Sequence, residues 1–94
     1  MLWLFGGKAY GFNATIPDPI NDLWRYNITS NKWAFMGGSQ IINDPGLYDK
    51  QSNKAWPSAR EYPATWVHKG AFWLFGGTSE GAYGKFQIVF SKVT

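Results

Sequence analysis

Leu2-Trp3-Leu4-Phe5-Gly6-Gly7 returns as Phe72-Trp73-Leu74-Phe75-Gly76-Gly77, seventy positions later in a chain of 94 residues. A string carrying a Trp-Leu-Phe core and a double glycine recurs this closely only when a chain is built from copies of one supersecondary element. Each copy is apolar without alternation and stops at glycines. That pattern predicts a strand buried on both faces, at 2–5 and again at 71–75, ended by a turn that needs positive φ.

Between the copies, Asn21-Asp22-Leu23-Trp24-Arg25-Tyr26 alternates from Asp22 onward, with Trp24 and Tyr26 on one side and Leu23 and Arg25 on the other. This is the period of a half-buried strand. Asn27-Ile28-Thr29-Ser30-Asn31 supplies turn formers and Lys32-Trp33-Ala34-Phe35-Met36 resumes a strand, so the segment is expected to form a hairpin with a short loop. Residues 8–20 hold glycine and proline breakers and are expected to form a loop, and 37–58 are polar and turn-rich. Residues 60–67 read as a further strand in which Pro63 restricts pairing, and Phe86-Gln87-Ile88-Val89-Phe90 as a last short one. No window sustains helical periodicity before a Gly or Pro intervenes.

Composition agrees with sheets and tight turns: aromatic residues make up 19% of the chain, six of them tryptophan, and there are eleven glycines. No cysteine is present, which excludes disulfides and thiolate metal sites. The net charge of +3 comes from scattered Lys and Arg with no basic run, the footprint of a solvated surface and not of a nucleic-acid partner. No apolar run is longer than Met1 to Phe5, far short of the roughly 20 residues of a membrane span. No signal peptide is legible either, which tilts the compartment toward the cytoplasm. An opening Met directly on a strand points to a fragment or a truncated gene product.

Taken together, the aromatic strand ending in a double glycine, the Asn-Asp-Leu-Trp-x-Tyr segment, and Trp33 seven positions after Tyr26 resemble the kelch motif of β-propellers. The match is close over Leu2 to Gly38 and good over Arg60 to Gly77. It implies an all-β chain: a partial kelch propeller of antiparallel, up-and-down blade strands in an incomplete ring. Residues 2–38 would be strands two to four of one blade, 39–58 a long inter-blade loop, and 60–94 the first strands of the next. A kelch unit is about 50 residues, so the seventy-residue offset implies the insertion at 39–58, as in a long-loop kelch subgroup. After Gly77 there is no second Asn-Asp-Leu-Trp-x-Tyr, although 86–90 stands where that strand belongs. In such a blade Gly6, Gly7, Gly76, Gly77, Tyr26 and Trp33 are scaffold, and Trp24, Trp66 and Trp73 with them pack between blades.

No chemistry is legible in the remaining residues. The double glycines lack the Lys-Ser/Thr and the helix of a phosphate loop. His68 is the one histidine and falls in an expected exposed turn; the six acids show no paired spacing. The copper-radical oxidases that share the kelch scaffold need a cysteine, which this chain lacks. We therefore expect no enzyme, no cofactor, no metal and no catalytic residue. The sequons at Asn13 and Asn27 read as turn chemistry.

In an up-and-down blade the connection after Gly7 and the insertion 39–58 emerge at one end, and the short turns at 27–31 and 68–70 at the other. Loops on a rigid scaffold carry function. The expectation is a protein-interaction scaffold fragment that binds through loops 8–20 and 39–58, with Tyr10, Phe12, Tyr48 and Trp56 as candidate contacts. The alternatives are a carbohydrate-binding or carbohydrate-modifying propeller piece, and a truncated product with no independent role. In isolation the fragment is expected to self-associate or to require the rest of the ring.

Overall fold

The computed structural model describes residues 1–47, 56–78 and 90–93. Among these the chain is all-β, with no helix and hence none long and apolar enough to cross a membrane. The strands are β1 (Leu2–Phe5), β2 (Lys8–Ala9), β3 (Asp18–Pro19), β4 (Leu23–Asn27), β5 (Lys32–Gly37), β6 (Ala64–His68), β7 (Ala71–Phe75) and β8 (Phe90–Lys92). They form two three-stranded antiparallel sheets, ordered β1-β4-β5 and β6-β7-β8, and a small β2-β3 ladder.

The expected hairpin forms as β4 and β5. Asn27 closes its turn: its side-chain oxygen accepts from the Thr29 and Ser30 amides at 2.9 and 3.2 Å, and its carbonyl from the Asn31 amide at 2.8 Å. Asn31 sits at φ 58°, a left-handed conformation that Asn tolerates, and its side-chain oxygen accepts from the Tyr26 hydroxyl. A register shift between Leu23 and Trp24 marks a bulge.

Alternation sorts the first sheet into two faces. Trp3 and Phe5 on β1 lie beside Arg25 and Leu23 on β4 and face the second sheet. Leu2 and Leu4 lie beside Tyr26 and Trp24 on the opposite face, followed by Trp33 and Phe35 of β5. In the second sheet Phe72 and Leu74 of β7 face the first. The core is the seam between the sheets: Phe5, Leu23, Phe72, Leu74 and Val93 are buried there, with Trp3 and Trp56 packed against them. The Trp3 and Phe5 rings lie 5.8 and 6.3 Å from that of Phe72, and the Arg25 guanidinium sits 5.8 Å from the centre of the Trp3 ring.

Several expectations are corrected. Leu2 and Leu4 are 55% and 54% exposed, so β1 is buried on one face only: no third sheet lies against it among the described residues. β7 comes nearer to burial on both faces, with Ala71, Phe72 and Leu74 buried and Trp73 half-buried. Residues 8–20 are not all loop, since Lys8 pairs with Pro19 and Ala9 with Asp18. The strand read at 60–67 begins only at Ala64, because Arg60 is drawn into the interior and Glu61 makes an isolated bridge to Thr78. His68 is exposed, but it ends β6 opposite Ala71, and Lys69-Gly70 makes the turn. The last strand is 90–92; residues 86–89 lie outside the described residues. Finally, Trp24–Phe35, Tyr26–Trp33 and Trp66–Trp73 are cross-strand pairs within a sheet, at 5.2, 4.9 and 6.5 Å, and the contact between sheets belongs to Trp3, Phe5 and Phe72.

Candidate functional site

The long connections meet at one end of the two sheets, where backbone hydrogen bonds stitch them together. The Phe12 amide donates to the Gln40 carbonyl, the Asn43 amide to Pro19, and the Arg60 amide to Ile20, at 2.8, 2.8 and 3.3 Å. The short turns at 28–31 and 69–70 lie at the other end of the same strands.

Asn21 is the hub of this end. It is buried, and its carboxamide nitrogen donates to the Pro57 carbonyl at 3.0 Å and to an Asp44 carboxylate oxygen at 3.4 Å. Its side-chain oxygen accepts from the Ser39 amide at 2.8 Å, and its carbonyl from the Trp56 indole N–H at 2.7 Å. One side chain and its own carbonyl thus bind three segments distant in sequence. A buried polar group of this kind stabilises only when its partners are in place, so the network fixes loop geometry. Asp22 next to it accepts from the Trp24 indole at 2.7 Å.

Arg60 is the second fastener and is fully buried. Its Nε donates to the Ser58 carbonyl at 3.0 Å, Nη2 to Ser58 Oγ at 2.7 Å, and Nη1 to the Gly76 carbonyl at 2.9 Å. Its own carbonyl accepts from the Gly7 amide at 3.1 Å. A single residue therefore touches both double-glycine turns. Gly6 stands at φ 58°, and a Cβ there would lie 2.7 Å from the carbonyl oxygens of both Arg60 and Ile20. Glycine at that position is required by space as well as by conformation.

Over this frame Tyr10 and Phe12 stand 69% and 71% exposed, flanking a hollow of about 360 Å³ lined also by Gly11, Ile20, Asp22 and Gln40. A neighbouring hollow of about 270 Å³ is lined by Asn21, Ser39, Asp44, Leu47 and Trp56 together with Gly38 and Gly46. Trp56 is half-buried, with its ring against the core and its N–H committed to Asn21. Tyr48 lies outside the described residues. So Tyr10 and Phe12 share a surface, and Trp56 forms a wall of the adjoining hollow. Gly76 and Gly77 adopt positive φ like Gly6 and Gly7, and Tyr26 and Trp33 pair on the outer face of the first sheet.

Asn21 and Arg60 were not singled out from sequence as site residues. Asn21 stands next to Asp22 in a segment that reads as a strand, and Arg60 opens the segment 60–67 that reads as another; the signal available was a polar residue beside a motif, without a visible partner. Among the described residues no group of three or more His, Cys, Asp or Glu side chains is placed to hold a metal ion. No family model matches the chain, and no curated protein or solved structure matches it either.

Proposed function

We propose that the chain is part of a kelch-type β-propeller that serves as a non-catalytic scaffold for protein recognition, binding through the loop-rich end. Support for the repeat comes from strand placement. β1 and β7 carry the same string, yet among the described residues β1 lies at the edge of its sheet and β7 lies between β6 and β8. Trp3 pairs with Arg25 and Trp73 with Lys92, so β8 takes beside β7 the place β4 takes beside β1. Aligned on the string, the two sheets are offset pieces of one four-stranded order, which is the strand count of a propeller blade.

The observation that carries the binding reading is the fixed, stitched loop frame from which Tyr10 and Phe12 project. Rigid aromatic side chains lose little conformational entropy on binding and are enriched among the anchors of protein interfaces. Changing both Tyr10 and Phe12 to alanine should weaken binding of a captured partner at least tenfold, about 1.4 kcal/mol. Ile28→Ala, at the opposite end, should leave it unchanged. Equal affinity for all three chains would remove the loop-rich end from the interface.

A second reading, carbohydrate binding, draws on the pairing of the Trp56 ring with the Asp44 carboxylate in the smaller hollow. It is the weaker reading because Asp44 already accepts from the Gly46 amide at 2.8 Å and from Asn21. Saturable binding to one sugar class, abolished by Asp44→Ala with the fold intact, would favour it.

A further inference from the structure

The larger hollow at the loop-rich end is lined by groups that select one sign of charge. Tyr10 and Phe12 flank it and stand largely exposed, and neither ring stacks on another aromatic ring among the described residues. Asp22 lines the same hollow. Its carboxylate is anchored, because Oδ2 accepts from the Trp24 indole at 2.7 Å, while Oδ1 has no partner among the described residues. The chain carries nine Lys and Arg against six Asp and Glu, yet the described lining of this hollow and of its neighbour includes Asp22 and Asp44 and no Lys or Arg. Lys32 and Lys69 stand exposed at the opposite end, in and beside the short turns, and Arg60 is buried with its guanidinium committed to Ser58 and Gly76. The charge lining the hollow is therefore opposite in sign to that of the whole chain.

We infer that this hollow takes an ammonium-bearing side chain of the partner protein, a lysine either free or methylated, with the cation between the Tyr10 and Phe12 rings and beside the Asp22 carboxylate. Aromatic faces carry the negative end of the ring quadrupole and attract a cation, methylated ammonium groups included, and the carboxylate adds a full charge of the same sign. An ammonium suits the hollow better than a guanidinium. The arginine fork pairs best with both oxygens of a carboxylate, and the Trp24 indole already holds one of them. A carboxylate or phosphate meets no cation among the described lining residues and is repelled by Asp22. The inference rests on the loop-rich end being the interface, and adds the chemistry of the side chain received there.

Amide chemical-shift titration of the isotope-labelled 94-residue chain tests it. The probes are Nα-acetyl-lysine N-methylamide, its Nε-trimethyl form, and the norleucine and arginine counterparts. Both lysine probes should shift the Gly11, Phe12 and Gln40 amides saturably, and whichever binds tighter tells whether free or methylated lysine is the ligand. Norleucine, with a similar chain and no charge, should bind about tenfold more weakly. Asp22→Asn keeps an acceptor for the Trp24 indole and should weaken lysine binding about threefold, and alanine at both Tyr10 and Phe12 about fivefold. Circular dichroism checks each fold. Should Asp22→Asn fail to fold, Gln40→Lys replaces it, since Gln40 is exposed and a like charge in the lining should abolish binding. Equal affinity for the lysine and norleucine probes, tighter binding of arginine, or lysine binding indifferent to these substitutions would overturn the inference. The titration uses no partner protein, so it is separable from the interface itself: if no probe binds while loss of both rings still weakens a captured partner, the interface stands and the lysine chemistry falls.

Discussion

Arg60 fastens the two double-glycine turns from a site with no solvent access, donating to Ser58 and Gly76 and accepting from Gly7. Its removal orphans buried acceptors, so Arg60→Met should cost about 3 kcal/mol, and Arg60→Lys should recover little because an ammonium lacks the planar fork. Urea unfolding at fixed protein concentration measures both. The adjacent glycines give a sharper contrast. Gly6 and Gly7 both have positive φ, but a Cβ at Gly7 meets nothing within 4 Å while one at Gly6 meets two carbonyl oxygens. Gly7→Ala should cost about 1 kcal/mol, for conformation alone, and Gly6→Ala at least about 2 kcal/mol more, since backbone must shift. Equal costs would mean that the crossing at Gly6 is looser than described. The glycines were legible as turn residues from their repetition. Arg60 was not, because the two turns it joins, at Gly7 and Gly76, are distant in the chain, and a neighbouring Ser58 does not separate a buried arginine from an exposed one at a strand start.

At the scale of elements, β4 and β5 were the most legible part. Alternation placed Trp24 and Tyr26 on one face, and the turn formers stood where the turn is. Asn27→Ala should cost about 1 kcal/mol through loss of the two bonds its side chain accepts, read from the unfolding midpoint. The cross-strand pairs Trp24–Phe35 and Tyr26–Trp33 should each show a coupling of about 0.5–1 kcal/mol in double-mutant cycles. β1 reads as buried on both faces because its apolar string lacks alternation, but among the described residues only the Trp3 and Phe5 face meets another sheet, and Leu2 and Leu4 are exposed. The loop-rich end was legible as an end. Its internal order was not, because Asn21 acts through single bonds to Ser39, Asp44, Trp56 and Pro57, which leave no period in the sequence. Trp56 in particular serves the frame: Trp56→Ala should destabilise the chain by about 3 kcal/mol, whatever its effect on a ligand.

On the scale of the whole molecule, two offset three-stranded sheets share one aromatic seam, and a stitched loop platform crowns one end. That seam joins the two sheets and, with the backbone bonds that stitch the connections, holds the loops at one end. The most direct measurement is the set of ring-to-ring nuclear Overhauser contacts in the 94-residue chain, recorded at a concentration where sedimentation shows a monomer. Contacts from the Trp3 and Phe5 rings to the Phe72 ring, together with backbone contacts that pair Trp3 with Arg25 and Trp73 with Lys92, are the predicted result. Both sheets formed, with no contact between the Trp3 or Phe5 ring and Phe72, would contradict it.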